Sequence, residues 1–431
     1  MNTSCSIVQE ADLGSPQDHS RPGFRSFRTF PSAPTYYPLV VLNALAELYH
    51  EYNAAFAPLV EANREASSDY ALCRTAQSQT TNYFVQIDMR GLPDAFLVAA
   101  PMLSKEEIRE CLRHNIFEME NSVAMYYLLE NAFAREGASY FSQRFRQGLN
   151  QLRQRNKMPI AVLAVTDQKY AELCTNEFGQ DPMLPLADSK VQMISGFDRV
   201  FSPQGFLTHL QERAGNCAYQ LYVRSSDPIE KLRNPQTVVI HPLLAREEIR
   251  KVIKAHAITL NVDSPHNVAV HARINDSKAY LVTMQMGFRI TRKEDLADPR
   301  LKAYLATAND DGSEVHSKPL VRAKPLQGTY GCYGHYRGSL GDSRFMRDVE
   351  GGLATRGAYI VQPELQNPSV RNQADGVLYS YIDRNLFCFT DEHPCFLGGF
   401  RTYLPAASEE ARRGRIHGSR ESVYSEILPS P

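Results

Sequence analysis

Between residues 318 and 404 the sequence runs through four β-rich segments: "KPLVRAKPLQGTYG", "GAYIVQPEL", "GVLYSYIDRNLFCF" and "FLGGFRTYL". Val, Ile, Tyr and Phe suit a pleated, half-buried surface, and the Gly and Pro residues between the runs mark turns. Strands that follow one another without long helices between neighbours pair antiparallel, because parallel neighbours need a crossover of a dozen residues or more. The last third is therefore expected to be an α+β unit built on an antiparallel sheet.

Upstream the periodicity changes. From Pro38, Leu42, Leu45, Tyr49, Tyr52 and Phe56 recur at three and four residues, the stripe of a helix. Ser104 and Glu107 have capping-box spacing and open a second helical region that runs into "SVAMYYLLENAF". Ile160 to Val165 is a short continuous apolar run, the pattern of a buried strand. Val238 to Ile240 repeats it, followed by a helix with Ile249, Val252 and Ile253 on one face. Residues 155–265 thus read as a small α/β region, and no G-x-G-x-x-G follows either strand, so a dinucleotide site is not expected there. A short helix is expected from Asp276. Ile290 ends an extended piece, and Thr291 with Glu294 has a second capping-box spacing. Residues 1–34, rich in Ser, Pro, Gly, Arg and Asp, are expected to be a disordered tail. The expected domains are that tail, a helical plus α/β region over 35–265, and a nucleotide-binding unit over 266–431.

Composition excludes several classes. A chain of 431 residues with 43% apolar content suggests two or three domains. The net charge of −1 gives no basic field for nucleic acid. No run approaches the roughly 18 apolar residues of a membrane span. The eight cysteines form no C-x-x-C pair, which argues against a zinc ribbon or finger. The first 26 residues lack the apolar core of a signal peptide, so a reducing cytoplasm with free thiols is expected.

One stretch, "KPLQGTYGCYGHYRG" (Lys324 to Gly338), carries a candidate chemistry. Gly328, Gly331 and Gly334 lack a Cβ, so backbone N–H groups there can approach an anion. There is no G-K-[ST], which excludes a Walker A loop. A glycine-rich hairpin over a triphosphate and a plain tight hairpin with surface tyrosines fit the spacing equally well. Lys278 lies a few dozen residues before Lys324. The strand "AYIVQPEL" ends in Gln362 and Glu364, suited to an adenine edge and a ribose hydroxyl. Arg401 follows a Gly-Gly bend, where a guanidinium fork suits a phosphate oxygen.

Taken in order, "NDSKAYL", "VRAKPLQGTYG", "ADGVLYSYIDRN" and "GGFRTYL" resemble the ATP-grasp superfamily, and within it the proteobacterial-type glutamate–cysteine ligases. The resemblance covers about residues 270–427. It implies an ATP-grasp fold, in which an antiparallel-sheet ATP-binding domain with a glycine-rich lid follows a helical and α/β N-terminal domain. It also implies an ADP-forming ligase that activates a carboxylate as an acyl phosphate and joins it to an amine, giving an amino-acid or peptide-type amide, γ-glutamyl included. Lys278 and Lys324 would sit on the α/β-phosphates. Gly328, Thr329, Tyr330 and Gly331 would cover the nucleotide, with Gln362 and Glu364 at its base and ribose. Arg401 would stabilise the transferred phosphoryl group. ATP and Mg²⁺ are the implied cofactors, small-molecule carboxylate and amine the substrates, and dimers are common among such ligases. The family's late E-x-N pair is missing from "SEEARRGRIHGSRESVYSE"; Asp383, Glu410 and His417 are the candidate metal ligands in its place. That departure keeps two other readings open: a nucleotide-binding protein with lost or altered catalysis, and a small-molecule phosphotransferase.

Overall fold

A computed structural model describes residues 9–19, 27–30, 34–62, 84–120, 133, 140–141, 143–144, 147, 160–166, 199–201, 218–224, 259–262, 288–308, 320–325, 335–364, 367–390, 393–412 and 421–430. They form a mixed α+β architecture with three sheets. The largest has ten strands. Its centre is the hairpin of Leu378–Thr390 and His393–Pro405, paired antiparallel along its whole length. Ser369–Asn372 and Phe84–Arg90 flank the first arm, and Val423–Pro429 flanks the second. The long arms need one relief point. A register shift falls at Leu386/Phe387, opposite Gly398, whose φ of 107° is a left-handed value that favours glycine.

One face of this sheet is roofed by helices Leu39–Ala62, Asp94–Ala99 and Lys105–Asn115. The first part of the stripe read from the sequence packs as expected: Leu42, Leu45 and Tyr49 meet Ile87, Met89, Phe387 and Ile427 in one core, while the side chains of Tyr52 and Phe56 lie outside those described. Ser104 and Glu107 form the reciprocal capping box.

Beneath the helices sits a charged cluster. Arg401 and Asp383 stand opposite each other on the hairpin arms. The guanidinium grips the carboxylate with both forks, Nε to Oδ1 at 2.7 Å and Nη2 to Oδ2 at 2.9 Å. Nη2 also donates to the Leu92 carbonyl at 2.8 Å. Asp383 Oδ2 accepts from the Tyr37 hydroxyl at 2.5 Å and from the Leu92 N–H at 3.0 Å. The guanidinium lies 4.3 Å from the centroid of the Tyr381 ring. Burial disfavours the charge on Arg401, but Asp383 outweighs it and holds the pKa well above the ordinary value. Gly91 makes room for this arrangement, since a Cβ there would lie 2.2 Å from the Tyr381 ring.

The second sheet is four-stranded and wholly parallel, in the order Thr259–Val262, Ala218–Arg224, Ile160–Thr166, Arg199–Phe201. It contains the strand expected at Ile160–Val165. Val238–Ile240 and its helix, "SVAMYYLLENAF" apart from Phe133, and the helix from Asp276 lie outside the described residues. The third sheet is antiparallel: Phe288–Ile290, Tyr359–Pro363, Leu320–Pro325, Tyr336–Ser339. Helices Pro299–Ala308 and Ser343–Arg356 contribute to the core on one of its faces. Among the described residues no helix is long and apolar enough to cross a membrane.

Three expectations are corrected. Residues 9–11, 17–19 and 27–29, assigned to a disordered tail, are strands of the large sheet; Leu13 and Phe30 are buried between them and the hairpin tyrosines. Asn372 secures this edge, accepting from the Leu13 N–H and donating to the Gly14 carbonyl. A boundary at 265/266 does not separate sheets, because Thr35–Tyr37, Phe84–Arg90 and Ile116–Glu120 join the same sheet as residues 369–429. The other two sheets are insertions between its strands. At the second expected cap the carboxylate is Asp295 rather than Glu294, accepting from the N–H groups of Thr291 and Arg292.

Removing one partner of a buried ion pair strands the other. Asp383→Asn is expected to destabilise the protein by about 3–5 kcal/mol, read as a lower urea midpoint with the slope unchanged. An unchanged midpoint would show that the cluster does not hold the helices to the sheet.

Candidate anion site on the small antiparallel sheet

The segment "LVRAKP" alternates strictly. Val321 and Ala323 enter the helix-covered core, so Arg322 and Lys324 project from the opposite face. Tyr359 and Val361 of the central strand also face the core, which leaves Ile360 and Gln362 on the polar side. Register completes the set. Arg322 stands opposite Gln362 on one side and Arg337 on the other, while Ile360 lies between Lys324 and Arg289. Four cationic side chains thus share one face of a four-stranded sheet.

Two arginines directly opposite each other repel. Glu364 resolves the conflict. Its N–H donates to the Leu320 carbonyl at 2.9 Å, prolonging the ladder past Pro363. Its carboxylate takes Arg322 Nε at 2.6 Å and Nη2 at 2.7 Å, and Arg337 Nε at 3.2 Å. The Glu364 side chain is 3% exposed, against 18% for Arg322 and 26% for Arg337. The carboxylate is thus the floor and the cations the rim. Burial pushes the Glu364 pKa up, but Arg322, then Arg337 and Lys324, outweigh it and hold the group below the ordinary carboxylate range. Among the described residues Arg322, Lys324 and Arg337 gather around this one carboxylate, a grouping of cations of the kind that anion sites use.

The polar face looks toward the large sheet. Arg337 Nη1 donates to the Ala411 carbonyl at 3.5 Å. Ala411 belongs to the short helix Glu409–Arg412, and it packs on Ile382 and Leu404 on the face away from the helical roof. That face of the large sheet has its own polar group: Asp88 takes Arg384 Nη2 at 2.9 Å and Gln86 Nε2 at 2.6 Å.

The expected site residues are therefore divided. Lys324, Gln362 and Glu364 come together. Glu364, expected at a ribose hydroxyl, is instead committed to two arginines. Arg401 and Asp383 also meet, but in the core: Arg401 is 4% exposed and its forks are spent on Asp383, which corrects its expected contact with a transferred phosphoryl group. The same clamp removes Asp383 from the metal ligands. Glu410 stands beside Ala411 on the short helix. Lys278, Gly328, Thr329, Tyr330, Gly331 and His417 lie outside the described residues. Among the described residues no three His, Cys, Asp or Glu side chains form a metal-binding group. The sequence reading missed Arg322, Arg337 and the Asp88–Arg384 pair. The alternation in "LVRAKP" and "FVQIDMR" carried a signal for Arg322 and Asp88; Arg337 needed the cross-strand register.

Neither a protein-family model nor a curated protein matches this chain. Among solved structures, a protein named as a gamma-glutamylcysteine synthetase from Methylobacillus flagellatus KT aligns over 92% of this chain and 87% of its own. Its TM-score is 0.37 at 10% identity. A likeness of that size assigns neither fold nor activity.

Glu364→Gln keeps the shape and removes the charge between the arginines. It is expected to cost about 1.5–3 kcal/mol at pH 7. Because the folded pKa is depressed, the contribution is complete above the unfolded value of about 4.3 and disappears as pH falls through the folded pKa. Parallel urea titrations of both proteins should therefore converge as the pH falls through the depressed folded pKa; a gap independent of pH would remove the ionic explanation.

Proposed function

We propose that this chain is an ATP-dependent ligase that activates a carboxylate as an acyl phosphate and joins it to an amine. The carrying observation is the cationic sheet face of Arg322, Lys324 and Arg337, fixed by Glu364 on the two arms of the hairpin that the glycine-rich stretch connects. Charge moves onto phosphate oxygens during phosphoryl transfer, so positioned cations supply most of what such a reaction needs. Bound there, ATP supplies the phosphoryl group that makes a carboxylate reactive toward an amine.

The chain's own residues divide the work. Lys324 supplies a compact point charge to the phosphates, while the fork of Arg322 is committed to Glu364, so the guanidiniums of Arg322 and Arg337 contribute positive charge beside it. Glu364 holds the two guanidiniums in place before any anion arrives, so little reorganisation is needed. Ile360 and Gln362, both buried, lie on the same face beside Lys324 and Arg322. Lys278 and the backbone from Gly328 to Gly331 would complete the phosphate contacts and exclude water, which protects an acyl phosphate from hydrolysis. The described residues do not assemble a site for the implied Mg²⁺, and no step is assigned to it.

A second reading, a nucleotide-binding protein without ligase chemistry, draws on one observation: Arg401, expected at the transferred phosphoryl group, is locked in the core by Asp383. Incubation with ATP, Mg²⁺ and amino-acid pools separates the two. The ligase releases ADP in step with a new amide, whereas binding without turnover favours the second reading. AMP as the product would overturn the first. Lys324→Ala is expected to lower ADP release about 10²–10³-fold while the protein stays folded, and near-normal turnover would place the phosphate site elsewhere.

A further inference from the structure

The eight cysteines look scattered in the sequence, but the fold makes a pair of two of them. Cys388 and Cys395 stand directly opposite each other on the arms of the central hairpin, two rungs from its tip. Opposed residues on antiparallel strands point to the same face of the sheet. Their Cα atoms lie about 4.5–5.5 Å apart, inside the span of about 4.4–6.8 Å that a disulfide bridges. Both are reduced here. From this register we infer that Cys388 and Cys395 are a dithiol modification site that closes into a cross-strand disulfide on reaction with a low-molecular-weight disulfide such as glutathione disulfide.

The two thiols are not equivalent, and the difference sets the order of events. Cys388 is fully buried in a strand flanked on both sides, by the Cys395 arm and by Phe84–Arg90. Cys395 is 9% exposed, and on its outer side the described ladder to Val423–Pro429 begins only at Gly399. Among the described residues no strand pairs with it there; Arg144 Nε instead donates to the Phe396 carbonyl at 3.4 Å. Burial pushes the Cys395 thiol pKa up, and the nearby Arg144 guanidinium partly offsets this. Among the described residues two rungs, Phe389 with Pro394 and Thr390 with His393, hold the hairpin end beyond the pair. Pro394 has no N–H to contribute to its rung. Opening of those two rungs would bring the reagent to Cys395 first.

The exchange balances. The Cys395 thiolate attacks one sulfur of glutathione disulfide, forming a mixed disulfide and expelling one glutathione thiolate, which takes up a proton. The Cys388 thiolate then attacks Cys395 Sγ and expels the second glutathione. Two thiols and one glutathione disulfide become one protein disulfide and two glutathione molecules.

The test uses the full chain under native conditions, treated with glutathione disulfide or with dithiothreitol, alkylated and mapped by mass spectrometry. No Lys or Arg separates the two cysteines, so one tryptic peptide carries both; Asp391 and Glu392 do separate them, so cleavage after Glu392 tells a link from two free ends. The expected result is the loss of both alkylation sites in the oxidised sample, with fragments that stay joined after cleavage at Glu392 and part on reduction. Cys395→Ser should leave Cys388 alkylatable, and Cys388→Ser should stop at a glutathione adduct on Cys395. The inference is overturned if both thiols remain alkylatable while other cysteines of the native protein react. It is also overturned if either bonds preferentially to a third cysteine, or if native protein stops at the mixed disulfide.

Discussion

The Arg401–Asp383 pair is the point through which the large sheet and its helical roof are fixed to each other. Asp383 and Arg401 come from the two long hairpin arms, Tyr37 from a short strand at the sheet's far side, and Leu92 from the turn before helix Asp94–Ala99. A buried charge is costly unless paired and fully hydrogen-bonded. Here every donor direction that faces the carboxylate is used, and the Tyr381 ring covers the guanidinium face. The apolar packing around it supplies more area, but apolar contacts tolerate small slides. A two-forked ion pair tied to both the N–H and the carbonyl of Leu92 does not, and so it sets where the roof sits.

Glu364 plays the same physical part in the small sheet, with a different outcome. There the buried carboxylate gathers two arginines that face away from the core, and the cations keep partial exposure. Beneath the helices Arg401 is enclosed between Asp383 and, at 3.6 Å from its Nη1, Asp94, whereas three cations gather around the single carboxylate of Glu364. The same residue types thus serve architecture in one sheet and, in the proposed reading, an anion in the other.

Much of the architecture was legible because it depends on local periodicity. The helical stripe from Leu42 to Tyr49, the capping box at Ser104, the strand from Ile160 and the β-rich runs of the last third all announce themselves within a few residues. Pairing was not legible. The strands at residues 9–11 and 27–29 are three residues each and mostly polar, so composition reads them as tail; of their partners, Val423–Pro429 carries an apolar run and Ser369–Asn372 does not. The helix Ser343–Arg356 carries a weak signal because Gly351 and Gly352 lower its propensity, although Asp342 caps it and Phe345, Val349 and Leu353 face the core. At the site, residue type suggested an anion at Lys324, but which carboxylate an arginine meets depends on register. Arg401 meets Asp383 in the helix-covered core, and Arg322 meets Glu364 on the polar face of the small sheet.

The order of strands along the chain has a consequence for how the protein is made. Arg28 Nη2 donates to the Glu421 carbonyl, a hydrogen bond that closes 393 residues of chain. The strand Val423–Pro429 lies between the hairpin and the early strands Phe27–Thr29 and Thr35–Tyr37. Until that late segment has left the ribosome, the early strands lack the edge they pair with in parallel. The roof helices likewise have only half a floor, because Phe84–Arg90 waits for Leu378–Thr390. Contacts of such separation slow folding and leave apolar faces open during synthesis. The inserted parallel sheet, whose strands all lie between residues 160 and 262, carries no such dependence and can pair first.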